Sequence, residues 1–262
     1  MIDVGPARVA AVLLLALSAG TAAASATSPL PTTTAPSIAL RNLDYMVDRS
    51  GRMLTLTPGD PVALARWLDA LLTRVQFLGT FDDLSDAERR SARAIATLGD
   101  DAGPGGARSA GLHIERARVL AQLHRFDEAR DLLDRAAATL EAMGSDAPGR
   151  LGKALVAERR AIDLATGAAQ AVLADLRPSE ASMDFEGATQ RGTALAALGR
   201  REEAEQAYRA ALADWDGLTP FAPAWVEFRI GEVWNGVDDR RARHHFERAL
   251  AILPAYVTAR VH

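Results

Sequence analysis

The chain has 262 residues, of which 48% are hydrophobic and 24% charged, so it is long enough for one or two globular units with a buried core. Its formal net charge is -4 and its basic residues are interleaved with acidic ones, which argues against a nucleic-acid partner. The sequence contains no cysteine, and this excludes disulfides, thiolate metal sites, thiol nucleophiles and a lipid-modified cysteine.

Residues 1–26 have the organisation of a secretory signal peptide. Arg8 precedes an apolar run over residues 9–17, and small residues follow up to Ala26. The run is shorter than the roughly 20 apolar residues that a spanning helix needs, although an uncleaved anchor is the alternative. We therefore expect cleavage near Ala24 or Ala26, a periplasmic or secreted location, and no membrane span after removal of the signal.

The next segment, residues 27–37, is rich in Pro, Thr and Ser and predicts an extended linker. Helical spacing begins near Ile38, where Ile38, Leu40, Leu43 and Met46 could form one face of a short helix. Residues 52–57 are equally compatible with an extended segment.

The first hairpin is predicted between residues 60 and 98. Asp60 and Pro61 form a helix start, and apolar residues at helical spacing then predict a helix to about Leu78. Ser85 and Glu88 have capping-box spacing, so a second helix is expected to start at Ser85. We interpret residues 38–108 as an N-terminal helical region that contains one degenerate hairpin.

A turn-and-helix pattern occurs three times in the remaining residues 109–262. The copies centre on Ala129, Ala204 and Ala242, and each alanine is followed after four and seven residues by one bulky residue and another alanine. The repeated positions, which we expect to be structural, are Ala129, Leu133, Ala136, Gly192, Leu195, Ala204, Tyr208, Ala211, Gly231, Trp234, Ala242, Phe246, Ala249 and Pro254.

This spacing resembles the tetratricopeptide repeat, a helix-turn-helix unit of 34 residues. Residues 124–129 and 246–256 are also similar to segments of exported bacterial tetratricopeptide proteins, which have no assigned biochemistry. The alanine- and leucine-rich composition favours helix throughout. We therefore predict an all-α fold, an α-solenoid of about five helix-turn-helix hairpins, with the repeat array over residues 109–262.

No motif predicts catalysis, a metal site or a cofactor. Gly103 and Gly105 flank Pro104 without the strand or lysine of a phosphate loop, and Ser109 fits a helix N-cap better than a nucleophile. The adjacent His244 and His245 point about 100° apart on a helix, so they cannot form a zinc-binding i, i+4 pair. We expect a protein that is not an enzyme and needs no cofactor.

The resemblance implies a groove that is lined by the first helix of each hairpin and receives a protein or peptide partner. The groove candidates, each of which could equally be a plain solvated residue, are Arg118, Gln122, Glu186, Thr189, Thr193, Glu232 and Asn235. Two alternatives remain: a structural subunit that self-associates through the thin C-terminal segment, residues 254–262, or a hydrolase without a recognisable motif.

Overall fold

A computed structural model describes residues 31–98, 106–176, 184–213 and 215–262. These residues form helices joined by turns and loops, and no strand occurs among them. The proposed signal peptide and the segment Gly103-Pro104-Gly105 lie outside the described residues. The helices are α1 Pro36–Leu56, α2 Pro61–Leu78, α3 Asp82–Ala96, α4 Gly106–Gln122, α5 Phe126–Met143, α6 Gly149–Ala165, α7 Ala169–Asp175, α8 Phe185–Ala197, α9 Arg201–Ala213, α10 Phe221–Trp234, α11 Asp239–Ile252 and α12 Val257–Arg260.

Helices α2 to α11 pair consecutively into five hairpins, and the prediction of an all-α solenoid of about five hairpins is confirmed. Every hairpin turn contains one residue in the left-handed backbone region, which allows the first helix to end and the chain to reverse. These residues, from the first hairpin to the fifth, are Gly79, His124, Gly167, Gly199 and Gly236.

Helix α1 is longer than the sequence predicts. It continues through residues 52–56, where an extended segment was the alternative, and it begins at Pro36, within the predicted linker. Its buried face contains Leu43, Val47 and Leu54, whereas Ile38 and Met46 of the predicted face are exposed. Gly51 lets the indole of Trp67 approach closely, since a Cβ there would lie 3.2 Å from Trp67 Nε1.

Helix α3 begins at Asp82, three residues before the predicted capping box, so the expected start at Ser85 is wrong. The reason is a stronger set of contacts at Asp83. Its carboxylate accepts two hydrogen bonds from Arg74, each 2.9 Å long, and a third from the Thr80 hydroxyl at 2.7 Å. An acidic residue in the first turn also complements the helix dipole.

The repeated glycines and rings pack against each other inside their own hairpins. A Cβ on Gly192 would lie 2.9 Å from the Tyr208 ring, and one on Gly231 would lie 2.5 Å from the Phe246 ring. The Tyr208 ring also lies nearly perpendicular to the Trp225 ring of the next hairpin, with centroids 6.0 Å apart. The remaining repeat positions are buried, except for the exposed Pro254.

Hydrogen bonds to the buried carboxylates of Glu205 and Glu227 connect helices α9, α10 and α11. Glu205 on α9 accepts hydrogen bonds from Trp234 Nε1 at 2.7 Å and from the guanidinium groups of Arg209 and Arg241. Glu227 on α10 lies 2.7 Å from His245 Nδ1. These contacts hold the pKa values of both carboxyls below the ordinary value, although burial acts in the opposite direction.

The N-terminal and C-terminal ends of the stack contact each other. The ring of Phe77 at the end of α2 packs against Phe221 on α10 and against Tyr256, with centroid distances of 5.2 and 4.6 Å. The Thr34 amide donates a hydrogen bond of 2.7 Å to the carbonyl of Leu218. The apolar surface of the last hairpin is therefore covered by α2 together with the short segment that ends in α12.

Candidate partner-binding surface

Charged side chains from the first helices of four hairpins meet on one surface. We name this group the Arg118 cluster, and it consists of Asp69 on α2, Glu115 and Arg118 on α4, Glu158 on α6 and Glu186 on α8. Residues from four helices converge because the first helices stack side by side, α2 against α4, α4 against α6 and α6 against α8.

Arg118 lies at the centre of this cluster. Its Nη1 donates to Asp69 Oδ1 at 2.5 Å and lies 3.7 Å from Glu115 Oε2, while its Nε lies 3.8 Å from Glu158 Oε1. Glu115 Oε2 is shielded from solvent and has no hydrogen-bond partner among the described residues. The cluster thus combines one cation with four carboxyl groups.

Burial raises the pKa values of Glu115 and Glu158 to about 7. Arg118 opposes this shift, but neighbouring carboxylates reinforce it, since Asp69 acts on both groups and Glu186 acts on Glu158. The pKa of Glu186 is raised as well, by burial and then by Asp184. Three carboxyl groups of this surface therefore carry their negative charge at a free-energy cost near neutral pH.

A second group of polar residues connects α8, α9 and α10. We name it the Arg229 cluster, and it consists of Thr193, Tyr208, Arg229 and Glu232. The Thr193 and Tyr208 hydroxyls lie 2.9 Å apart, and Arg229 Nε donates to the Tyr208 hydroxyl at 3.3 Å. Arg229 Nη1 donates to Glu232 Oε2 at 2.6 Å. The guanidinium also lies 5.8 Å from the Trp225 ring centroid.

The structure divides the seven groove candidates into three sets. Arg118 and Glu186 belong to the Arg118 cluster, and Thr193 and Glu232 belong to the Arg229 cluster. Thr189 is buried and its hydroxyl donates to the backbone of its own helix, whereas Gln122 and Asn235 are exposed. Thr189 therefore presents little surface to a partner.

Sequence reasoning missed four of the charged residues in these clusters. Asp69, Glu115, Glu158 and Arg229 occupy first helices but match no family motif. The spacing along α4 is a signal that predicts Glu115, because this residue lies three residues before Arg118 and on the same face of the helix. Glu158 joins the cluster because α6 packs against α4. The third hairpin lacks the repeat motif, so the sequence does not predict that packing.

The residues considered for chemistry belong to neither cluster. Ser109 lies inside the first turn of α4, so the N-cap prediction is wrong, and its hydroxyl is 3.5 Å from His113 Nδ1. That distance exceeds the range of an activated nucleophile and base. His244 is exposed and His245 is buried against Glu227. Among the described residues, no group of three or more acidic or histidine side chains is placed to hold a metal ion.

Within the described ranges, none of the helices is both long enough and apolar enough to cross a bilayer.

Comparison with known proteins does not show a family. No family model matches the chain, and no curated protein matches it. Among solved structures, the fold is similar to the crystal structure of BtubC (BKLC) from P. vanneervenii, with a TM-score of 0.46 and 15% sequence identity over 84% of this chain and 91% of that chain.

Proposed function

We propose that this chain is a scaffold, not an enzyme, that binds a protein or peptide partner on the surface formed by its first helices. The Arg118 cluster supports this proposal most directly. A partner that placed a lysine or arginine side chain beside Glu158 and Glu186 would stabilise their charged forms and lower their pKa values. The partner segment that suits this surface is therefore cationic.

The remaining features fit the same proposal. The glycine-to-ring contacts in the fourth and fifth hairpins support membership of the tetratricopeptide repeat family.

The proposal of export rests on the N-terminal sequence alone, and N-terminal sequencing of the secreted or periplasmic protein tests it. A mature chain that begins after Ala24 or Ala26 is expected, whereas a chain that begins at Met1 would contradict cleavage.

Affinity capture with matched variants tests the binding surface. The test variant combines Glu158→Gln and Glu186→Gln, which remove two carboxylates from the cluster. The control combines Glu141→Gln and Glu247→Gln on α5 and α11, where both side chains are exposed on second helices. Wild type and control should capture the same partner from cell-envelope extract, and the test variant should lose it.

Equal capture by all three proteins would contradict the assignment to this surface. Folding of the variants is checked by circular dichroism, so that loss of binding is not confused with unfolding. Raising the salt concentration should also weaken binding, because the proposed contacts are between charges.

A further inference from the structure

A cavity between α6 and α8 adjoins the Arg118 cluster, because Glu186 of that cluster lies in its wall. Its volume is about 340 Å³, at the small end of the range for ligand sites and large enough for one long side chain. The charged residues in its wall are Lys153, Arg160, Asp184 and Glu186. The cavity therefore continues the surface that is proposed to bind a partner.

Gln190 on α8 places a buried polar group without a partner in this wall. The residue is 8% exposed, and its Nε2 donates to the carbonyl of Ala157 on α6 at 3.0 Å. That hydrogen bond fixes which end of the amide accepts, and Oε1 has no hydrogen-bond partner among the described residues. A group that enters the cavity reaches Oε1 by a small rotation of the amide, since the last torsion of glutamine is soft. The occupant must therefore offer a hydrogen-bond donor.

The charges around the cavity favour a cation over an anion. The Glu186 carboxylate forms no side-chain hydrogen bond within the described ranges. Of the two cations, Arg160 already donates to Asp175 at 2.6 Å, and Lys153 is exposed. An anion would also leave Gln190 Oε1 unpartnered, because an ionised carboxylate only accepts hydrogen bonds.

The two acceptors on α8 suit a guanidinium group better than an ammonium group. Glu186 and Gln190 are four residues apart, so their side chains lie on the same face of the helix with Cβ atoms about 5–6 Å apart. A planar guanidinium with five N–H donors can reach two acceptors at once, whereas an ammonium is a point charge. Val156 on α6 is 41% exposed in the same wall and offers an apolar surface to the methylene stem of an arginine.

We propose that this cavity receives an arginine side chain of the cationic partner segment, whose guanidinium donates to Gln190 Oε1 and to the Glu186 carboxylate. The assignment rests on the proposed function and specifies the residue that the partner presents. Lys153 opposes this cation, so its removal should strengthen binding.

Nuclear magnetic resonance of the full chain with a model compound tests the cavity without the partner. Titration with Nα-acetyl-L-arginine amide should shift the side-chain amide signal of Gln190 and backbone signals of α6 and α8. Gln190→Met and Val156→Trp, which fills the cavity from an exposed position, should each weaken binding about tenfold. Lys153→Gln should strengthen it about two- to fivefold. Gln206→Met, at an exposed position on α9, is the control and should bind like the wild type.

Related compounds test the preference for an arginine side chain. Nα-acetyl-L-lysine amide should bind more weakly than the arginine compound, and free L-arginine should bind no more tightly than it. Equal affinity for the lysine compound would overturn the proposal. So would tighter binding of free arginine, which would indicate a site for the amino acid itself, or unchanged binding in both Gln190→Met and Val156→Trp.

Affinity capture from cell-envelope extract distinguishes this assignment from the proposed function. Gln190→Met and Val156→Trp should both lose the partner, whereas Gln206→Met should retain it. Loss of the partner in the Glu158→Gln, Glu186→Gln variant alone would leave the binding surface in place and overturn the arginine site. Retention of the partner in that variant as well would overturn both.

Discussion

At the scale of single residues, the turns show how one backbone angle decides whether a hairpin can close. Gly199 has a φ of +73°, and no side chain lies near the position of its missing Cβ. Any effect of a substitution there therefore comes from the backbone. Gly152 in α6 is a contrasting case, because it lies in helical backbone and its surroundings are also open.

The same substitution at these two glycines should change stability in opposite directions. Gly199→Ala should lower the free energy of unfolding by about 1 kcal/mol, since alanine is strained at positive φ. Gly152→Ala should raise it by about 0.5–1 kcal/mol, because alanine favours helix over the unfolded chain. Urea denaturation of both variants measures the two values. Changes of the same sign in the free energy of unfolding would contradict the left-handed backbone at Gly199 or the helical backbone at Gly152.

The raised pKa values in the Arg118 cluster make stability depend on pH. Glu158 has a pKa of about 7 in the folded protein against an ordinary value of 4.5. Between these values the folded state holds more protons than the unfolded state, so stability falls as pH rises through this window. Below pH 4.5 both states are protonated and the difference disappears.

Glu158→Gln should therefore raise the melting temperature at pH 8 and leave it nearly unchanged at pH 4. Thermal unfolding at both pH values checks this, with Glu141→Gln as the exposed control. A variant that melted below the wild type at pH 8 would show that the charged carboxylate stabilises the fold, contrary to the sign derived from its burial.

At the scale of elements, the fourth and fifth hairpins each pack a glycine of the first helix against a ring of the second. The Gly231 contact with Phe246 is the closer of the two examples, because a Cβ would lie 2.5 Å from a ring carbon. Phe246 is itself 5% exposed and stacks on His262 with ring centroids 4.8 Å apart. The ring therefore has little freedom to move away.

Gly231→Ala should accordingly cost about 1–3 kcal/mol through overpacking. The double variant Gly231→Ala with Phe246→Leu should recover part of that loss, since the smaller side chain makes room for the new methyl group. Chemical denaturation of the two single variants and the double variant measures the coupling. Additive losses would show that the glycine and the ring do not compete for the same space.

Regular elements could be predicted from the sequence, whereas contacts between distant elements could not. The spacing of Ala204 and Tyr208 identified the fourth hairpin because local helix periodicity determines it. The sequence predicts too short a helix for α1. Its exposed apolar residues lie outside the buried face, so the pattern of one apolar side and one polar side is missing. Of the proposed binding surface, Arg118 and Glu186 are predicted by repeat position, but Glu158 joins them only through the packing of α6 between α4 and α8.

At the scale of the whole molecule, Phe77 connects the two ends of the stack. It is 3% exposed and contacts Phe221 and Tyr256, which are more than 140 residues away in the chain. A linear array lets each unit contact only its neighbours. This additional contact should make the first and last hairpins unfold together.

Phe77→Ala should lower the free energy of unfolding by about 3–5 kcal/mol, as expected for a buried phenylalanine. Hydrogen exchange should then become faster in α2 and in α10 together. Phe81→Ala is the matched control, because Phe81 is 70% exposed and its loss should cost little. Faster exchange limited to α2 would argue against coupling between the ends.

The most direct measurement of the central claim is photo-cross-linking in the native cell at one position on each side of the hairpins. A photoreactive residue at Gln122, one turn after Arg118 on α4, should form adducts with the partner, and one at Glu141 on the second helix α5 should not. Adducts at Gln122 that disappear in the Glu158→Gln, Glu186→Gln background would support binding on the surface formed by the first helices. Adducts at Glu141 with none at Gln122 would contradict it.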